Sequence, residues 1–137
     1  MITFFLSMKI PSVTAQVKRC RVVHGKPVFF DGARIKAARQ EFMLRLAPHK
    51  PPDPIPKDKP VHLFVRFVYK APRKRDLNAW KTTRPDTDNM IKLLKDCMTA
   101  AGFWQDDSQV ASEHIEKQYG DKEGIDIAIE EMAKVTG

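Results

Sequence analysis

The sequence predicts an α+β fold: a single domain in which a mixed β-sheet carries two principal helices, in the order β-β-β-α-β-α-β-β. Three observations predict it. The chain has 137 residues, the length of one domain, so residues 1–137 read as one unit. Runs rich in β-branched and aromatic residues outnumber runs with helical spacing. Two segments, about 32–47 and 86–102, repeat apolar residues every three or four positions. At 42% hydrophobic, the chain can bury a core, which excludes disorder throughout.

The elements follow in order. Ile2 to Ile10 reads as a strand ended by Pro11, and Ser12 to Gln16 as a polar connector. From Val17 to Phe30, V-K-R-C-R-V-V and P-V-F-F flank His24-Gly25, a hairpin signal. Lys18, Arg19, Arg21 and Lys26 make this ribbon basic, as suits either a solvated edge or phosphate contact. Asp31 reads as the N-cap of a helix from about Gly32 to Ala47, with Ile35, Ala38, Phe42, Met43 and Leu46 on one face. Pro48 to Pro60 holds too many prolines for helix or central strand and reads as a stiff, extended surface loop. Val61 to Lys70 alternates, with Val61, Leu63, Val65, Phe67 and Tyr69 on one face and a partly covered face opposite.

Lys70 to Arg84 holds six Lys or Arg residues against the single acid Asp76, with Trp80 in the middle. Such a run is ordinarily a solvated loop. Here it leads directly into acids, and Arg73, Lys74, Arg75, Lys81 and Arg84 are candidate phosphate contacts. Trp80 is expected to pack on the protein body rather than stack on a base. The second helix carries Met90, Leu94, Cys97, Met98 and Ala101 in one stripe and stops at Gly102. Phe103 and Trp104 then plug the core. Val110 to Tyr119 and Ile125 to Glu131 read as strands of a second hairpin around D-K-E-G, and Lys134 to Gly137 as a frayed end.

Charge and motif content narrow the function. A net charge of +7 points to an anionic partner, nucleic acid first. Cys20 and Cys97 belong to no C-x-x-C pattern and no disulfide framework, which fits a reducing compartment; Cys97 falls on the apolar stripe. No window is long enough to span a membrane, and Ile2 to Leu6 is too short for a signal sequence, so an intracellular protein is expected. His24, His49, His62 and His114 lack zinc-site spacing, and neither a G-x-S-x-G elbow nor a Walker A loop occurs. Asp86-Thr87-Asp88 superficially suggests an aspartyl-phosphate phosphatase, but a basic loop and Pro85 precede it, not an apolar strand.

The acids therefore carry the reading. Asp86 and Asp88 open the second helix, and Asp106 and Asp107 lie beyond its end. One acid at a helix start is a cap or a dipole partner. A cap needs neither two carboxylates and Asn89 within four residues nor a second Asp pair. Four acids in a basic chain suggest a site for Mg²⁺, which takes carboxylate oxygens and keeps positions for water and phosphate. An acid from the Asp106-Asp107 pair would join Asp86 and Asp88 only if the chain returns along the helix. Lys92 shares a face with Asp88 and Asp96 at i, i+4 spacing. It could hold an acid, touch the phosphate or stabilise a leaving oxygen, or simply form a surface ion pair.

R-P-D-T-D-N, Lys92, Lys95-Asp96 and G-F-W-Q-D-D-S-Q-V, in this order and spacing, resemble the RusA family of Holliday junction resolvases, which occur in phages and prophages. The resemblance implies a homodimeric, structure-selective endonuclease that nicks two symmetric strands of a four-way DNA junction, in the cytoplasm of a bacterial or phage-infected cell. It implies Asp86, Asp88 and Asp107 as the Mg²⁺ ligands, with Mn²⁺ as substitute, and Lys92 as the essential lysine. Asn89, Asp96 and Asp106 match supporting positions. The alternatives are a non-catalytic DNA-binding module whose acids are caps, and a metal nuclease acting on flaps, forks or RNA.

Overall fold

A computed structural model describes residues 1–12 and 18–134. The predicted connector through Gln16, the Val17 start of the ribbon and the frayed end after Lys134 fall wholly or partly outside these residues. The strands are β1 (Ile2–Ser7), β2 (Lys18–Val23), β3 (Lys26–Asp31), β4 (Val61–Lys70), β5 (Val110–Gly120) and β6 (Gly124–Glu131). The helices are α1 (Ala33–Leu46) and α2 (Thr87–Ala101). The predicted class and element order hold. Four strands form one mixed sheet in the order β1-β6-β4-β5, and β2 and β3 form a separate hairpin.

β4 sits at the centre because it is apolar on one face and half-covered on the other. Val61, Leu63, Val65 and Phe67 are fully buried, and Ile125, Ile127 and Ile129 of β6 join them. Both helices close this face. Ala38, Phe42 and Leu46 of α1, and Met90, Ile91, Leu93, Leu94, Cys97 and Met98 of α2, are buried there. Phe103 and Trp104 fill the core as expected, with the Trp104 indole donating to Thr99 Oγ1 at 2.7 Å. The two-residue turn of the β2–β3 hairpin has positive φ at both His24 and Gly25, the geometry such turns need.

Several expectations are corrected. β5 and β6 are not a hairpin: β4 lies between them, parallel to β5 and antiparallel to β6. The most apolar strand takes the position with two neighbours, so D-K-E-G carries the chain across its end. β4, α2 and β5 thus form a crossover unit, the connection a parallel pair requires. β1 ends at Ser7, opposite the first residue of β6, although Met8 and Ile10 stay buried beyond it. Asp31 is not the cap of α1. It pairs with Lys18 in the hairpin, and Gly32 takes the cap position without a side-chain hydrogen bond. The Pro-rich loop is not purely a surface segment, because Ile55 is buried and bridges to Trp104.

Candidate active site

The candidate site is built on α2. Asp86 occupies the helix N-cap position with extended backbone, yet its side chain makes no capping hydrogen bond. Asp88 lies in the first turn. Both carboxylates are exposed, and among the described residues neither takes part in a hydrogen bond or ion pair. Capping therefore does not account for them. Lys92, one turn on, is likewise exposed and unpaired among the described residues, so neither Asp88 nor Asp96 forms the expected surface pair with it. Asp96 faces α1, where Arg39 Nη2 lies 3.8 Å away. Asn89 is half-buried beside the two acids in sequence.

Asp106 and Asp107 are different in kind. Asp106 caps the short 3-10 turn Asp107–Gln109, accepting from the Ser108 backbone N–H at 2.9 Å. That hydrogen bond holds its carboxyl below the usual carboxylate range. Asp107 is exposed at the start of the turn. Sequence reasoning missed the anchor of this corner, Gln109. It is buried; its Oε1 accepts from Gln105 and Asp106 N–H, and its Nε2 donates to the carbonyls of Ile55, Pro56 and Lys59. The signal was present in D-D-S-Q-V, where an amide among acids offers both donor and acceptor.

β5 runs back along α2. Lys95 of α2 pairs with Glu113 of β5 at 3.1 Å, and Lys117 further along donates to the Thr83 and Pro85 carbonyls at 2.8 and 2.9 Å. The far half of β5 therefore lies at the helix start, and Asp107, which precedes β5, lies at the helix end. α2, of 15 residues, is about 22 Å long, and the two acid groups lie toward its opposite ends. Accordingly, no three His, Cys, Asp or Glu side chains among the described residues of one chain are grouped to hold a metal ion. Asp86, Asp88 and Lys92 share the first two turns of α2, and Asp107 lies toward its other end. Lys117 was also missed, since its position beside Pro85 depends on where β5 passes.

The basic loop is pinned at its end. Ala79 accepts from Tyr119 N–H, while Asn78 and Lys81 N–H donate to the carbonyls of Tyr119 and Lys117. Lys81 Nζ lies over the rings of Tyr69 and Tyr119, at 4.9 and 5.3 Å from the centroids, and bonds Thr83 Oγ1. Trp80, expected to pack on the body, is instead 61% exposed, because Lys81 takes the aromatic surface and the backbone turns Trp80 outward. Arg73 pairs with Asp76 at 2.9 Å, and Lys74, Arg75 and Arg84 are exposed. A cavity of about 460 Å³ opens on the other face of the sheet, lined by Thr3, Phe64, Arg66 and Asp126 among others, away from these acids.

Comparison with known proteins gives the family of the chain. The family model described as Endodeoxyribonuclease RusA matches residues 11–130. The chain is 36% identical over 124 residues to "Crossover junction endodeoxyribonuclease rusA" of Lactococcus phage r1t, covering 90% of this chain and 92% of that protein. It is 27% identical over 124 residues to "Uncharacterized protein YqaN" of Bacillus subtilis (strain 168), covering 84% and 87%. The match spans the hairpin, both helices and the whole crossover that carries the acids, and on it the chain belongs to the RusA family of endodeoxyribonucleases.

Proposed function

We propose that this protein is a Mg²⁺-dependent Holliday junction resolvase, in which two copies nick opposed strands of a four-way DNA junction. The observation that carries the reading is the pair of unpartnered carboxylates, Asp86 and Asp88, beside Lys92 at the end of a basic loop. Free carboxylate oxygens are the donors a hard cation takes, and Mg²⁺ commonly uses only one or two of them. When bound, the ion neutralises charge at the phosphate and acidifies a water.

The chain's own residues have separable parts. Asp86 and Asp88 hold the cation at the start of α2. Lys92, one turn on, lies where its ammonium can meet a phosphate oxygen or the departing oxygen. Arg73, Lys74, Arg75, Lys81 and Arg84 hold flanking phosphates. Asn89 sits beside the ligands, and Asp96 fixes the outer face of α2 through Arg39. Asp106 orders the turn that carries Asp107. Because Asp107 lies toward the far end of α2 from Asp86 and Asp88, a second copy supplies it. Two equivalent sites in a symmetric dimer match the near-twofold symmetry of a four-way junction.

The test is cleavage of a synthetic four-way junction beside matched duplex and forked DNA, with Mg²⁺ or with EDTA. Paired symmetric nicks in the junction alone, lost with EDTA, are expected. Binding without cleavage in either condition would leave a non-catalytic DNA-binding module, and preferential cutting of forks would reassign the substrate.

A further inference from the structure

Asp86 lies where little in its own helix holds it. It occupies the N-cap position of α2 with extended backbone, at φ −74° and ψ 145°, and its side chain makes no capping hydrogen bond. The helix ladder orders the backbone of Asp88 in the first turn but reaches an N-cap residue only through its carbonyl. The residues just before it, 81–85, belong to neither helix nor strand, and Thr82, Thr83 and Arg84 are exposed. Two carboxylates serve a Mg²⁺ ion only if their spacing is kept, because this ion demands near-octahedral geometry. Some other element must therefore fix the entry to α2.

Lys117 of β5 is placed to do so. Its Nζ donates to the Thr83 carbonyl at 2.8 Å and to the Pro85 carbonyl at 2.9 Å. The Pro85 carbonyl belongs to the peptide unit that ends at the Asp86 nitrogen, and a peptide unit is planar. Holding that carbonyl holds the plane from which Asp86 departs. The other end of the lysine is anchored too. Its residue pairs with Phe67 of the central strand, and its own carbonyl accepts from Lys81 N–H at 3.0 Å. A second lysine braces the same segment: Lys81 Nζ, lying over the Tyr69 and Tyr119 rings, donates to Thr83 Oγ1 at 2.6 Å. An ammonium suits the task, since its three donors can serve two carbonyls at once through charge-assisted bonds.

We propose that Lys117 is a positioning residue for the acids: it fixes the backbone from Thr83 to Pro85 so that Asp86 keeps its place relative to Asp88. It touches neither the cation nor the DNA. A lysine serving the fold alone would tie down core elements. This half-buried one reaches out to an exposed segment that leads directly into the acid pair. The inference rests on the reading of Asp86 and Asp88 as cation ligands.

The test uses Lys117→Met, which keeps the apolar stem and removes the ammonium. Three quantities are measured: deuterium uptake across residues 82–90, Mn²⁺ affinity by calorimetry, and junction binding by gel shift in EDTA. Uptake is expected to rise, Mn²⁺ to bind about tenfold or more weakly, as when a group that orients metal ligands is lost, and junction binding to be retained. Lys117→Cys in a Cys20→Ser background, with Cys97 buried, adds a rescue. Alkylation with 2-bromoethylamine restores an ammonium at nearly the length of lysine and should restore Mn²⁺ affinity; alkylation with 2-bromoethanol should not. This pair also decides the matter if Lys117→Met fails to fold.

Unchanged uptake or unchanged Mn²⁺ affinity in Lys117→Met would overturn the proposal. Junction binding lost in step with Mn²⁺ affinity would overturn it as well, by making Lys117 a phosphate contact. So would a lowered urea midpoint that aminoethylation reverses without restoring Mn²⁺ affinity, the result of a purely structural role. A wild-type protein that binds no Mn²⁺ would instead overturn the reading of Asp86 and Asp88, and uptake across residues 82–90 alone would then decide whether Lys117 holds the backbone.

Discussion

At the scale of residues, the acids of this chain look alike in sequence and differ in what surrounds them. Asp106 is committed to its own turn, and the Ser108 N–H keeps it ionised. Asp86 and Asp88 have no such commitment, so their charge is available to a ligand. Asp88→Asn is therefore expected to cut nicking by about a hundredfold or more while junction binding, measured by gel shift, is retained. Nicking at the normal rate with Mg²⁺ would remove Asp88 from the site. The two thiols make a second contrast. Burial pushes the Cys97 thiol up to about 11, partly offset by Arg39. Cys20 is exposed. Mass spectrometry after iodoacetamide at pH 8 should find Cys20 modified in the folded protein and Cys97 modified only after denaturation. The same shift has a stability sign: an unfolded thiol ionises near pH 9 and the folded one does not, so this contribution falls as pH rises from 9 to 11.

At the scale of elements, the crossover β4–α2–β5 does the positioning. Gly102 ends α2 in the left-handed region, at φ 94°, where a Cβ is strained, and its N–H returns to Met98 and Thr99. The chain then drops Phe103 and Trp104 into the core and reaches the Gln109 corner. That one amide ties the Pro-rich loop to the acid turn by hydrogen bonds to the backbone of both. Gln109→Ala would leave these buried and half-buried groups without their partner, at a cost of about 2–4 kcal/mol. Urea unfolding should show a lower midpoint with unchanged slope. A loss under about 0.5 kcal/mol, the ordinary surface value, would mean that water replaces the clamp.

At the scale of the whole molecule, charge and shape divide the work. The net charge of +7 favours an anionic partner, and Lys74, Arg75 and Arg84 of the loop that leads to α2 are exposed. Replacing all three by Ala should weaken junction binding and flatten its dependence on salt, by about 0.9 of a log–log slope unit for each duplex phosphate no longer neutralised. An unchanged slope would move the DNA path to another face, such as the β2–β3 hairpin with Arg21 and Lys26.

Most elements could be read locally. Alternation set β4 and β6, helical spacing set α1 and α2, and His24-Gly25 set the hairpin, because side-chain period and turn sterics act within a few residues. The motif from Arg84 to Val110 was legible in the same way, as acids, an amide and a glycine at fixed spacing. Pairing was not. Nothing in D-K-E-G says that β4 will insert between β5 and β6, since partner choice depends on which strand loses most apolar surface to water. The exposure of Trp80, the roles of Gln109 and Lys117, and the separation of Asp107 from Asp86 follow from that choice. The sequence by itself determined which chemistry the chain carries. The tertiary structure alone decided which residues one copy can bring together, because contacts between distant segments exist only once the sheet order is set.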